Sequence, residues 1–253
     1  FGYLPLRHAL AQYLLRSRPI SCTAEQIVVF AHALTPLRQL ASLLVSASDK
    51  IVVENPGFPL ARRVFAELGA NILPIEVDRE GLQVDLLDSR HCQARLVYVT
   101  PSHQDPTGAL LSLHRREKLL SWAAENQCLI VEDDYDCEYR YIGSPLPSLM
   151  VLDGNDSVVY IGNLWKTLYP LVNIGFLVLP SGLIEPFKKI QSLAWVKSST
   201  SIPFLEQTTL TDFINEGLLE RHIRKTRLIY AGRYRNLITG LTRFFDNEVD
   251  YED

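Results

Sequence analysis

The 253-residue chain predicts an α/β fold, a three-layer α/β/α arrangement around a mainly parallel mixed sheet. Three observations carry this. Short apolar runs of strand length recur through the first 180 residues, they are continuous rather than alternating, and amphipathic helical segments separate them. A continuous run requires burial of both strand faces, and helices between successive strands supply the cover on each side.

The elements follow in order. PLRHALAQYLLRSR (5–18) spaces its apolar residues for an amphipathic helix, and IVVF (27–30) is a first strand. TPLRQLASLLVS (35–46) reads as a helix with Thr35 as its N-cap and Pro36 in its first turn. KIVVE (50–54) is a strand, FPLARRVFAELG (58–69) a helix closed by Gly69, and NILPIEV (71–77) a strand. ARLVYVT (94–100) is a strand, followed by a helix over 112–127. CLIVED (128–133), SVVYIG (157–162) and IGFLVLP (174–180) are further strands. Beyond Pro180 the chain turns helical: 183–195, 203–217, and a long helix over about 218–245. Residues 1–215 form the expected large domain. The long helix within 216–253 is expected to lead into an incomplete C-terminal small domain. The chain opens on Phe1 inside a helical pattern and ends in DNEVDYED, so it is expected to be a piece of a longer protein.

Composition narrows the function classes. With 25 basic and 29 acidic residues the net charge is −4, and no Lys/Arg run offers an electrostatic footprint for nucleic acid. No apolar run approaches the roughly 18–20 residues of a membrane span. Cys22, Cys92, Cys128 and Cys137 form no CxxC pair and no metal-ligand spacing, which predicts reduced thiols in a cytoplasmic protein without a bound metal.

In a doubly wound sheet ligands sit beyond the carboxyl ends of the strands, so the loops there are where chemistry is expected. Three are rich in polar groups: TPSHQDPTG (100–108), EDDYDCEYRY (132–141), and the segment around Lys166 in GNLWKTLYP (162–170). Each has a plain alternative, as a solvated acidic turn, a Pro-Gly turn, or a surface lysine. Together they bring an acid, a phenol and an amine to neighbouring strand ends. A carboxylate holds a protonated pyridine nitrogen, a phenol donates to a phenolate oxygen, and an amine condenses with an aldehyde. That set suits pyridoxal 5'-phosphate.

At these residues the chain resembles a known family. GYLPLRHALAQYL, ENPGFPLARRVF, ARLVYVTPSHQDPTG, LIVEDDYDCEYRY and VVYIGNLWKTLYP are similar, in family order, to the aminotransferase-like domain of MocR-type regulators of the GntR family. That domain in turn resembles fold-type I, class I/II aminotransferases. The resemblance implies a fold-type I large domain and pyridoxal phosphate as cofactor. It places Lys166 on the Schiff-base lysine, Asp133 opposite the pyridine nitrogen, and Tyr135 on the phenolic oxygen. Phe58 falls where an aromatic covers the ring, with plain core packing as the alternative. His103 and Gln104 are expected to line the same pocket, and Asn163 and His32 to offer donors to the phosphate; a half-buried or capping role is the alternative for His32.

The chain departs from the family at the phosphate. AHAL (31–34) stands for a Ser-Gly-Ala-Gln-like turn, Asn163-Leu164-Trp165 for Thr-Phe-Ser, Asn173 for an arginine, and Asp105 for a phenylalanine. A charge-assisted hydrogen bond contributes roughly 1.5–3 kcal/mol, so losing about three removes on the order of 5–9 kcal/mol. Weakened or lost cofactor binding is the expectation. The function expected is that of the effector-binding domain of a MocR-type regulator, binding an amino-acid-like molecule, homodimeric, and reaching DNA through a winged helix outside these residues. A free-standing aminotransferase and a catalytically dead dimer scaffold are the alternatives.

Overall fold

The computed structural model describes residues 1–91, 93–140, 146–194 and 203–245. Eight strands form one sheet: β1 (Ile27–Phe30), β2 (Lys50–Asn55), β3 (Asn71–Asp78), β4 (Gly81–Leu82), β5 (Leu96–Val99), β6 (Leu129–Asp133), β7 (Val158–Asn163) and β8 (Gly175–Val178). Their spatial order is β1-β8-β7-β6-β5-β2-β3-β4. The five central strands, β7 through β3, run parallel, while β8 lies antiparallel between β7 and β1. The mixed, mainly parallel sheet agrees with the sequence reading; the two-residue β4, paired antiparallel to β3, was too short to register in it.

The helices are α1 (Leu4–Ser17), α2 (Thr35–Leu44), α3 (Pro59–Glu67), α4 (Leu113–Glu125), α5 (Leu149–Leu152), α6 (Trp165–Leu168), α7 (Ile184–Ala194), α8 (Phe204–Asn215) and α9 (Leu218–Phe245). Alternate strand residues point to opposite layers. Phe30, Val53, Tyr98, Val131, Ile161 and Leu177 pack with α2, α3 and Phe187 of α7. Val29, Tyr160, Phe176 and Val178 pack with α1, α8 and the first turns of α9, and Val97, Val99 and Ile130 with α4 and α5. Both faces are therefore covered, which is why the strands read as unbroken apolar runs.

One local expectation fails. Thr35 is not the N-cap of α2: Leu34 holds that position, in a helical conformation and without a side-chain cap bond. The amide of Ala33 beside it instead donates to Asn173 Oδ1 at 3.0 Å, from 140 residues away. The helix start is closed by the loop before β8 rather than by a local hydroxyl, and no pattern within 35–46 encodes that. Pro36 lies in the first turn as expected, and Gly69, at φ +78°, closes α3. The sequence's helix over 183–195 ends at Ala194 among the described residues, and Cys92, Tyr141, Trp195 and the DNEVDYED tail lie outside them. Cys22, Cys128 and Cys137 are free thiols.

Candidate active site

The parallel strands present their carboxyl ends at one edge, and the register aligns them. Asp133 closes β6 beside Ile161 of β7; Asn163 closes β7 opposite Gly175, which is also opposite Phe30, the last residue of β1. The loops leaving β1, β5, β6 and β7 thus enclose one cavity of about 480 Å³. Tyr98, Thr100, Asp105, Asp133 and Tyr135 line it together with Phe58, and His32, Ala33, Asn163, Trp165, Lys166 and Asn173 complete the wall.

Lys166 lies in the short helix α6, directly after β7, with its side chain exposed to the cavity. Its Nζ is 5.5 Å from the centroid of the Tyr135 ring and 5.4 Å from that of Trp165, within reach of the negative faces of both. Helix α9 holds α6 from behind, the Nε2 of His222 meeting the Thr167 carbonyl at 2.9 Å. Arg227 donates to the Glu138 carbonyl at 2.8 Å, and Tyr139 OH pairs with Thr226 at 3.1 Å, so the loop bearing Tyr135 is tied to the same helix.

Asp133 accepts a 2.6 Å hydrogen bond from Tyr98 OH. Burial raises its carboxyl from 3.8 to about 7, against the lowering effect of that bond, and Asp134 adds to the rise. Burial, reinforced by Asp136 and Asp105, pushes the Tyr135 phenol up, so it stays a donor at neutral pH. Behind the wall, Glu54 is almost wholly buried and accepts from Thr100 N at 3.2 Å, Thr100 Oγ1 at 2.6 Å and Gln104 Nε2 at 3.3 Å. Burial raises it to about 7 as well.

Lys166, Asp133, Tyr135, Phe58, Asn163 and His32 therefore share one cavity. Two of the residues expected there are absent from its wall. Gln104 is buried and spends its amide on Glu54, Pro56 O (2.9 Å) and Asp105 O (2.7 Å), with its oxygen accepting from Thr107; it builds the loop rather than the pocket. His103 is half exposed beside Asp136, 3.5 Å away. Conversely, Tyr98, Thr100 and Glu54 were missed. A phenol within the aliphatic run LVYV and an acid ending KIVVE were the available signals.

The ring-binding half fits pyridoxal phosphate: an amine, a carboxyl, a phenol and an aromatic cover. The phosphate half does not. Among the described residues lining the cavity, Lys166 is the one lysine or arginine. The Ala33 amide at the start of α2 is already bonded to Asn173 Oδ1. Because an amide N–H can face only the oxygen of Asn173, the Nδ2 of Asn173 turns to His32 Nδ1, 3.4 Å away.

A family model for class I and II aminotransferases matches residues 1–249. The chain belongs to that family. It is 41% identical over 249 residues to the "Uncharacterized HTH-type transcriptional regulator YdeL" of Bacillus subtilis (strain 168), covering 98% of this chain and 52% of that protein. It is 37% identical over 235 residues to the "Probable rhizopine catabolism regulatory protein MocR" of Rhizobium meliloti, covering 92% of this chain and 46% of that one. Kynurenine aminotransferase of Pyrococcus horikoshii, solved in complex with PMP, superposes with a TM-score of 0.87 at 27% identity, over 96% of this chain and 61% of that chain. Family membership and this likeness support the fold-type I assignment and, by resemblance, pyridoxal phosphate as the family's cofactor. The chain spans about half the length of the regulators it matches. None of its described helices is long and apolar enough to cross a membrane.

Proposed function

We propose that this chain is the ligand-sensing domain of a MocR-type transcriptional regulator, and that it captures a carbonyl compound through Lys166. The observation that carries the reading is the Lys166 amine opening into the same cavity as Asp133 and Tyr135, on a chain similar to HTH-type regulators along nearly its whole length. Phe58 and Tyr98 give the cavity apolar walls for a planar ligand. Lys166 supplies the nucleophile, Tyr135 a neutral hydrogen-bond donor, and Asp133 an acceptor or acid whose protonation changes near neutrality. In this proposal DNA is reached through a winged helix elsewhere in the gene product, the domain pairs as a homodimer, and it works in the cytoplasm.

The test is borohydride reduction after incubation with an aromatic aldehyde, with peptide mapping and Lys166→Ala as control. Label on Lys166, absent from the variant, without amino-group transfer to 2-oxoglutarate, is the expected result. Sustained transfer would replace the reading with the aminotransferase one. Absence of label would leave the dimer scaffold.

A further inference from the structure

We propose that the cavity takes an unphosphorylated aromatic aldehyde, of which pyridoxal is the representative, in preference to the phosphate ester. The inference rests on the carbonyl-capture reading above and names the ligand class for the same site. Three observations at one end of the cavity carry it. The Ala33 amide, the donor that a free helix start would offer an anion, is spent on Asn173 Oδ1 at 3.0 Å. The Asn173 amide nitrogen is turned to His32 Nδ1 at 3.4 Å, so one of its two N–H groups is engaged within the protein. Asn163, also in the wall, is buried, with 8% of its surface exposed, and its Oδ1 has no donor.

A buried acceptor without a donor is costly and calls for a partner from the occupant. A phosphate dianion has no proton to give and would set negative charge against that oxygen. A hydroxymethyl group donates. Asp105 in the same wall adds further negative charge. The unpaired Asn163 oxygen and the Asp105 carboxylate therefore match a hydroxyl donor and oppose a dianion.

The covalent step balances without an oxidant or reductant. The unprotonated amine of Lys166 adds to the aldehyde carbon, its two N–H protons leave with the carbonyl oxygen as one water, and the imine nitrogen takes up one proton from solvent where the product is protonated. One C=O bond is replaced by one C=N bond.

The experiment compares half-saturating concentrations for label at Lys166 using pyridoxal, 5-deoxypyridoxal and pyridoxal phosphate. Each is divided by the value for the same aldehyde with free Nα-acetyl-lysine, which cancels the cyclic hemiacetal of pyridoxal. Pyridoxal is expected to bind at least about tenfold more tightly than the phosphate, the scale of one charge-assisted hydrogen bond. It is expected to bind several-fold more tightly than 5-deoxypyridoxal, which lacks the donor for Asn163. Asn173→Arg frees the Ala33 amide and adds a guanidinium, and should move the ratio about tenfold toward the phosphate. Equal or tighter binding of the phosphate by the unaltered chain overturns this inference and leaves carbonyl capture standing. Absence of label with all three overturns both.

Discussion

At the scale of single residues, the unusual feature is the number of carboxyl groups held in the interior with raised pKa. Glu54, Asp133 and Glu138 all sit at about 7, each because burial penalises the charged form. The unfolded chain releases these protons near pH 4, whereas the folded chain keeps them until about 7. Between those values the native state binds more protons, so their contribution to stability is complete below about pH 4 and lost as pH rises toward 7. Asp88, lowered to about 2 by its bonds to Arg90, acts in the opposite sense and below that window. The urea midpoint should therefore fall between pH 5 and pH 8. Glu54→Gln, which keeps acceptors for Thr100 without a charge, should flatten the fall and gain up to about 3 kcal/mol at pH 8. A variant curve parallel to the wild type would show that Glu54 is already ionised in the folded protein. That Lys166, Asp133 and Tyr135 face one crevice was legible from sequence, because Asp133 ends and Tyr135 follows the buried strand β6 while Lys166 follows its neighbour β7. Tyr98 was not, since an aromatic within a strand run looks like core and its hydroxyl finds Asp133 only across the β5–β6 pairing.

At the scale of elements, position decides more than propensity. Helix α6 has four residues, too short to hold itself, and depends on the α9 residue His222 beneath Thr167. His222→Ala should slow aldehyde labelling of Lys166 by about three- to tenfold, while the urea midpoint moves by less than about 1.5 kcal/mol. A variant that labels at the wild-type rate would show that α6 is held by its flanking strand alone. Close packing at the β7–β8 pair gives a second test. A Cβ at Gly162 would lie 2.3 Å from Phe176 Cζ, so Gly162→Ala should destabilise by about 1–3 kcal/mol in urea titration. The strands and long helices were readable because burial on two faces and helical periodicity are local patterns. The start of α2 was not, because Asn173, 140 residues away in sequence, closes it from the loop before the neighbouring strand β8. The departures from the family's phosphate-binding residues were visible in sequence as substitutions, while the bond between the Ala33 amide and Asn173 was visible only in three dimensions.

At the scale of the whole molecule, the three layers and the mainly parallel character of the sheet were legible, because continuous apolar strands joined by helices require cover on both faces; the strand order was not read from sequence. The edge was less so. Strand β1 pairs not with a sequence neighbour but with β8, Ile27 facing Val178, and Tyr3 N donates to Gln207 Oε1 at 2.7 Å across 204 residues. The exposed Tyr169 and Leu171, at 67% and 87%, lie on the loop between α6 and β8. That edge pairing carries a temporal consequence. The turn after β1 is translated early, yet its place beside Asn163 is defined only once β8 has been made and inserted between β1 and β7. A nascent chain would emit most of its sheet before the pocket had a second wall, and the binding site would be among the last parts of the domain to exist. Pulse-labelled nascent chains arrested before Gly175 should accordingly show no aldehyde adduct at Lys166, and chains extended past α9 should show it.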